Sequence, residues 1–200
     1  MPIDPTRWNL EALRERWRVA SPFSHVVIDR FVDASFLASL RAAFDDEPAS
    51  NLQDEIFDVM ASSAPPEVDV FRALHAAMTA PVFLAALHAI TGESLTGAEM
   101  RAYAYLPGHY LLPHADRDDG GRRRLAYAFY VDLFDGTTGG ELDLYECLSK
   151  DGDIVETRVG TTIEPCANRC VIFEVSDQSL HRVREVTAGG RLSLAGWFVR

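Results

Sequence analysis

The sequence predicts an α+β fold: helical support over residues 1–95 and a β-sandwich or barrel over 96–200, in a single domain of 200 residues. Two observations predict it. The first half carries apolar residues at helical spacing. The second half alternates short runs rich in Val, Leu, Phe and Tyr with the breaks PG, DDGG, DGTTGG, KDGD, SDQS and AGG.

In chain order, Trp8, Leu10, Leu13 and Trp17 form a short amphipathic face, with Arg14, Arg16 and Arg18 largely off it. PFSHVVIDRF reads as a strand because β-branched residues follow Pro22. Asp33 is placed to cap a helix from Ala34 to Phe44, where Phe36, Leu37, Leu40 and Phe44 recur at helical spacing. From Asp45 to Pro66 the pattern is irregular and polar, which predicts mostly loop. Val70 to Ile90 predicts one or two helices, broken near Pro81 and ended by Gly92 and Gly97. The strand candidates follow: AEMRAYAYL, LAYAFYVDLF, GELDLY, TRVGTTIEP, NRCVIFEV, LHRVREV and RLSLAGWFV.

Composition narrows the function classes. At 48% hydrophobic and 24% charged, the chain can bury a core. A net charge of −11 argues against nucleic acid as a direct partner, since phosphates need clustered Lys and Arg. It fits a basic protein, a small molecule, or simple solubility. Cys147, Cys166 and Cys170 form neither a disulfide framework nor a zinc knuckle and read as reduced thiols. The N-terminus lacks a signal-peptide pattern, and no apolar run is long enough for a membrane span, so a cytoplasmic location is expected. There is no Gly-rich phosphate loop and no Gly-x-Ser-x-Gly.

Three features carry chemistry. His114-x-Asp116 places an imidazole and a carboxylate on one face if the segment is extended. Alone, it fits a capped polar loop as well as a metal site. His181, in LHRVREV, offers a third ligand if late and early strands are neighbours; it also fits a satisfied, half-buried histidine. Two His and one carboxylate suit non-haem Fe(II) with open positions. In RLSLAGWF, Arg191, Ser193, Ala195 and Trp197 share one face, while Leu192, Leu194 and Phe198 share the other. A guanidinium turned into a barrel asks for a carboxylate, whereas one at a strand edge needs only water.

Together these residues resemble the Fe(II)/2-oxoglutarate oxygenases of the prolyl-hydroxylase type. The resemblance is carried by Tyr105-Leu-Pro-Gly108, His114-x-Asp116, His181 and Arg191, over about residues 99–199, with PFSHVVIDRFVD as an entry strand. YLLPHADRDDGGRRRLAYAFYVDL, GGELDLYE, VIFEVSDQSLHRVREV and RLSLAGWF are similar to the catalytic domain of ribosomal-protein prolyl hydroxylases. The resemblance implies a double-stranded β-helix, jelly-roll or cupin-like. It implies Fe(II), 2-oxoglutarate and O2 as cofactor and cosubstrates, with ascorbate as a stimulant. It implies an iron triad of His114, Asp116 and His181, and Arg191 with Tyr130 on the distal carboxylate of 2-oxoglutarate. Tyr105 would line that pocket and Ser193 would assist. Tyr105 and Tyr130 also fit ordinary sheet packing. Retention of the Asp116 carboxylate favours hydroxylation over halogenation. The eukaryotic members carry a second barrel, which is not expected here.

The substrate stays open between a protein or peptide such as a basic ribosomal protein and a free amino acid or small natural product. A non-catalytic cupin-like metal-binding protein is the third reading. Substrate selection is expected from the loops 45–66 and 117–124, where Asp118 and Asp119 could meet a basic peptide and Arg122 to Arg124 an acidic group.

Overall fold

The computed structural model describes residues 2–200. After a 3-10 turn at Pro5–Arg7, the chain runs α1 (Leu10–Val19), β1 (His25–Asp29), α2 (Ala34–Ala43), β2 (Ala49–Gln53), β3 (Phe57–Ser62), α3 (Asp69–Met78) and α4 (Pro81–Thr91). Then come β4 (Gly97–Ala98), β5 (Arg101–Tyr105), β6 (Tyr110–His114), β7 (Arg123–Leu133), β8 (Thr138–Gly139), β9 (Leu142–Lys150) and β10 (Asp153–Ile163). The last are β11 (Arg169–Glu174), β12 (His181–Val183), β13 (Val186–Ala188) and β14 (Arg191–Val199).

All pairings are antiparallel, in the order β1-β11-β7-β14-β5-β3-β6-β12-β9-β10, with β2 on β3 and β4 on β14; β13 and β8 pair separately. The sheet curls so that one face meets the helices and the other lines a cavity, the jelly-roll half-barrel that the strand pattern predicts. On β7, Leu125, Tyr127, Phe129 and Val131 join Phe31, Phe71, Leu74, Phe83 and Leu87 in the main core. The alternate Ala126 and Tyr130 turn inward, beside Leu142, Leu144, Val171 and Phe173. Both faces are therefore covered, which is why LAYAFYVDLF reads as a nearly continuous apolar run. At about 25 cal/mol per Å² of apolar surface, this two-sided burial is the main term holding the helices on the sheet.

The helical breaks fall where the chemistry puts them. Pro81 starts α4, where its missing N–H costs nothing, and Gly92 ends it at φ +80°, a conformation that side chains resist. Among the described residues, no single helix is long and apolar enough to cross a membrane.

Three expectations need correction. The segment from Asp45 to Pro66 is not mostly loop, because residues 49–62 form the β2–β3 hairpin, paired through Leu52 and Val59 and attached to β5 and β6. LHRVREV is not one strand; it breaks between β12 and β13, which join different sheets. Asp33 sits at the N-cap of α2, but its side chain makes no capping bond.

Glu47 supplies a cap from outside. The start of α3 has no side-chain cap of its own. The Glu47 carboxylate, 7% exposed, accepts from Glu67 N at 2.9 and 3.1 Å and from Val68 N at 2.9 Å. Glu47→Ala is expected to lower stability by about 1–2 kcal/mol, a Tm drop of roughly 2–8 °C at this size. Thermal unfolding checks it; an unchanged Tm would remove Glu47 from this role.

Candidate active site

His114 ends β6 and His181 begins β12. The two residues are direct cross-strand partners, with ring centroids 4.3 Å apart. Asp116 lies two residues beyond the end of β6. Its Oδ1 is 3.5 Å from His114 Nε2, and its Oδ2 is 3.4 Å from His181 Nε2. The candidate ligand atoms of the three residues all lie within 4.8 Å of one another.

The far side of each ring fixes its tautomer. His114 Nδ1 donates to the Leu112 carbonyl at 2.9 Å, and His181 Nδ1 donates to the Ser179 carbonyl at 3.0 Å. A carbonyl only accepts, so the proton of a neutral ring sits on Nδ1 and the Nε2 lone pair faces Asp116. With both rings neutral, two lone pairs and a carboxylate converge with no donor among them. Burial pushes His181 down to about 4, so this ring is neutral at pH 7. Burial also acts downward on His114, but the facing Asp116 outweighs it and raises the group. Burial acts upward on Asp116, and the two imidazoles outweigh it, so the carboxyl stays below its usual value. The donor set fits a divalent cation that replaces the His114 proton as partner of the Asp116 charge.

Across the same cavity, Arg191 is 2% exposed. Its guanidinium lies 4.3 Å from the Tyr105 ring centroid and 4.8 Å from that of Tyr130. Arg191 Nε and the Tyr130 hydroxyl are both buried without a hydrogen-bond partner. Burial raises both phenols above their usual range, so each keeps its proton and can donate it to an anion. Gly140, at φ +77°, leaves this space open; a Cβ there would stand 3.2 Å from Arg191 Nε. Ser193, 2% exposed, shares the wall. A desolvated guanidinium and an orphan hydroxyl aimed into one space fit a carboxylate ligand.

The cavity is about 290 Å³ and brings His114, Asp116, His181, Arg191, Tyr105 and Ser193 to one lining. Tyr130 contributes from the layer beneath, through its ring on Arg191. Leu52, Ile56 and Phe57 of the hairpin line the cavity too, as the loop expectation for 45–66 allowed. Arg122 to Arg124 do not present a free acidic-group site. Arg122 approaches Asp118 and Glu99, Arg123 approaches Glu99, and Arg124 grips Glu93 at 2.8 and 2.9 Å.

Sequence reasoning missed Arg101, Tyr103 and Asp143, and read Arg123 only as part of a loop facing an acidic group. The first two follow from alternation, since Arg101, Tyr103 and Tyr105 share the inward face of β5. Arg123 stacks on Trp197 with its guanidinium carbon 3.4 Å from the ring centroid. Asp143 is 0% exposed and opposes Arg182 across β9–β12, next to His181. Its Oδ2 accepts from Arg182 Nε and Arg184 Nε, each at 2.8 Å, and its Oδ1 from Thr162 at 2.7 Å. These bonds pin the strand that presents His181. No local pattern signals such a contact.

Comparison with known proteins gives consistent findings. Residues 100–199 match the family model of the 2OG-Fe(II) oxygenase superfamily. The chain is 30% identical over 187 residues to prolyl 3-hydroxylase OGFOD1 of Mus musculus, covering 88% of this chain and 33% of that protein. It thus spans about a third of the length of that relative. Among solved structures, a Pseudomonas putida prolyl-4-hydroxylase superposes with a TM-score of 0.71 at 23% identity, covering 96% of this chain and 98% of the other. A prolyl hydroxylase from Trichoplax adhaerens, in complex with a hypoxia inducible factor peptide fragment, gives a TM-score of 0.68 at 14% identity, covering 98% and 95%.

Asp143→Asn is expected to lower stability by about 2 kcal/mol at pH 7, because two arginines lose a charged acceptor. Burial acts upward on the Asp143 carboxyl, but Arg184, Thr162 and Arg182 outweigh it and hold it below its usual value. A depressed carboxyl stabilises above its unfolded value of about 3.9 and stops doing so as pH falls through the native value. The gap between wild type and variant is therefore constant from pH 7 to about 5 and closes below about 4. Denaturant melts across that range check it; a gap that widens in acid contradicts the assignment.

Proposed function

From the premise that this chain belongs to the 2OG-Fe(II) oxygenase superfamily, we propose that it hydroxylates proline in a polypeptide. The reaction uses Fe(II), 2-oxoglutarate and O2, the cofactor and cosubstrates of the family, and releases succinate and carbon dioxide. One observation carries the site assignment: two imidazoles and a carboxylate converge on one side of a cavity whose other side holds a buried arginine without a counter-ion.

In this reading His114, Asp116 and His181 hold the iron. Arg191 and the Tyr130 hydroxyl hold the distal carboxylate of 2-oxoglutarate, and Tyr105 and Ser193 line its pocket. The iron and cosubstrate, when bound, supply the oxidative decarboxylation and the oxygen atom that enters a C–H bond. The protein positions and excludes water. Bonds from Nδ1 to the Leu112 and Ser179 carbonyls turn both Nε2 atoms toward the Asp116 carboxylate. Leu111, Phe173 and Val183 make the surrounding wall apolar, which protects a reactive centre from solvent.

The proline reading draws on the mouse relative, a prolyl 3-hydroxylase by name, which aligns over 88% of this chain. Leu52, Ile56, Phe57, Tyr103 and Trp197 give the cavity an apolar lining that suits the hydrocarbon face of a pyrrolidine ring. The net charge of −11 and the acids Asp54 and Glu55 at the hairpin turn favour a basic polypeptide, of which a ribosomal protein is one example. A cytoplasmic location goes with this reading, supported by three unpaired cysteines. A second reading, a free amino acid as substrate, is favoured by Arg101, an unpaired cation in the cavity wall.

Succinate release that depends on Fe(II), 2-oxoglutarate and a proline peptide, with the mass gain of one oxygen atom, is the expected result. Succinate release with no peptide gaining oxygen would overturn the prolyl reading; no succinate release at all would leave a non-catalytic binding protein. His114→Ala and Asp116→Ala are expected to abolish turnover and weaken metal binding by more than roughly a hundredfold. Arg191→Gln is expected to raise the KM for 2-oxoglutarate by roughly ten- to a hundredfold with a smaller change in kcat. Full activity in either alanine variant, or an unchanged KM in Arg191→Gln, would contradict the assignment.

A further inference from the structure

Among the described residues, only two arginines that are not exposed lack a carboxylate within 4.0 Å: Arg191 and Arg101. Every other arginine is either exposed or ion-paired. Both of these line the one cavity described above. In a chain with 30 acids against 19 bases, a half-buried guanidinium left without an acidic neighbour is not the default outcome.

Register fixes where Arg101 points. It is the cross-strand partner of Ala195, and Tyr105 is that of Arg191. Directly paired residues share a sheet face. Arg101 therefore shares the inward face with Ala195, Ser193 and Arg191, and its neighbours on that face of β5 are Tyr103 and Tyr105. The paired positions at the two ends of this row lie four residues apart, about 13 Å along the strand. An anion gripped by Arg191 leaves Arg101 without a partner. Arg123 stands near the same end, but it is occupied by Trp197, by the Asp116 carbonyl at 3.4 Å and by Glu99 at 3.5 Å. Arg101 is the cation left open to an incoming molecule.

We propose that Arg101 binds a carboxylate of the substrate, close to the carbon that is hydroxylated. This rests on the reading of the cavity as the substrate and cosubstrate site. The carboxylate has two sources: the free carboxylate of a terminal or lone proline, or an acidic side chain beside an internal proline. Such a group makes the substrate locally acidic at the cavity even where the rest of the polypeptide is basic. It also gives the enzyme a means of choosing among prolines, because an uncharged neighbour leaves the guanidinium unpaired.

The test uses the full chain loaded with Mn(II) and 2-oxoglutarate, with binding read by calorimetry. Two pairs of compounds are compared: L-proline with L-prolinamide, and the capped peptide Gly-Pro-Asp-Gly with capped Gly-Pro-Asn-Gly. In at least one pair, the carboxylate member is expected to bind roughly ten- to a hundredfold tighter than its amide. Arg101→Gln is expected to erase that preference while binding the amide member as wild type does; Arg101→Lys keeps part of it. The first pair reports a free carboxylate, the second an acidic neighbour. No preference in either pair, or one that survives Arg101→Gln, overturns the proposal. Hydroxylation of the same compounds with Fe(II) is scored separately. A preference dependent on Arg101 without oxygen gain retires the prolyl reading and leaves Arg101 in place; oxygen gain without the preference does the reverse.

Discussion

His114 and His181 stand opposite each other across the β6–β12 pair, ring centroids 4.3 Å apart. A slip of one residue in either strand would turn one imidazole to the opposite face. The register is held on the far side of β12 by Asp143, which accepts from Arg182 and Arg184, and each ring is oriented by the carbonyl two residues before it, Leu112 and Ser179. Asp116 needs no strand of its own. It lies beyond the end of β6, where its two oxygens reach both rings.

Charge supplies the second organising constraint. The cavity wall is largely apolar, so each ion in it needs an opposite charge, supplied by the protein or by a ligand. The carboxylate of Asp116 faces two rings. Arg191 is clamped by the faces of Tyr105 and Tyr130, and Gly140 keeps the space beside it open. Arg123 is stacked on Trp197. In the proposed function a metal ion and a dicarboxylate complete the first two of these sites. Arg101 remains, and its simplest complement is a charge on the substrate.

Much of this was legible in the sequence. Alternation in RLSLAGWF separates Arg191 and Ser193 from Leu194 and Phe198, and the structure buries the first pair against the cavity and the second pair against the helices. The same rule applied to RAYAY places Arg101 and Tyr103 beside Tyr105, a step that the attention drawn by the tyrosines alone does not take. The hairpin at 49–62 left no such trace. Its SNLQDE stretch lacks apolar alternation and a two-residue glycine turn, and its strands are fixed by contact with β5 and β6. The long-range partners of Arg122 to Arg124, Glu93 and Glu99, were equally hidden, because only the fold brings them together.

The central claim is that His114, Asp116 and His181 hold iron within reach of a 2-oxo acid anchored by Arg191. The most direct measurement is anaerobic visible absorption on adding Fe(II) and then 2-oxoglutarate. The account predicts a charge-transfer band that needs both components, is lost in His114→Ala and Asp116→Ala, and saturates at higher 2-oxoglutarate in Arg191→Gln. A band that persists in both alanine variants, or one that titrates identically in Arg191→Gln, would contradict it.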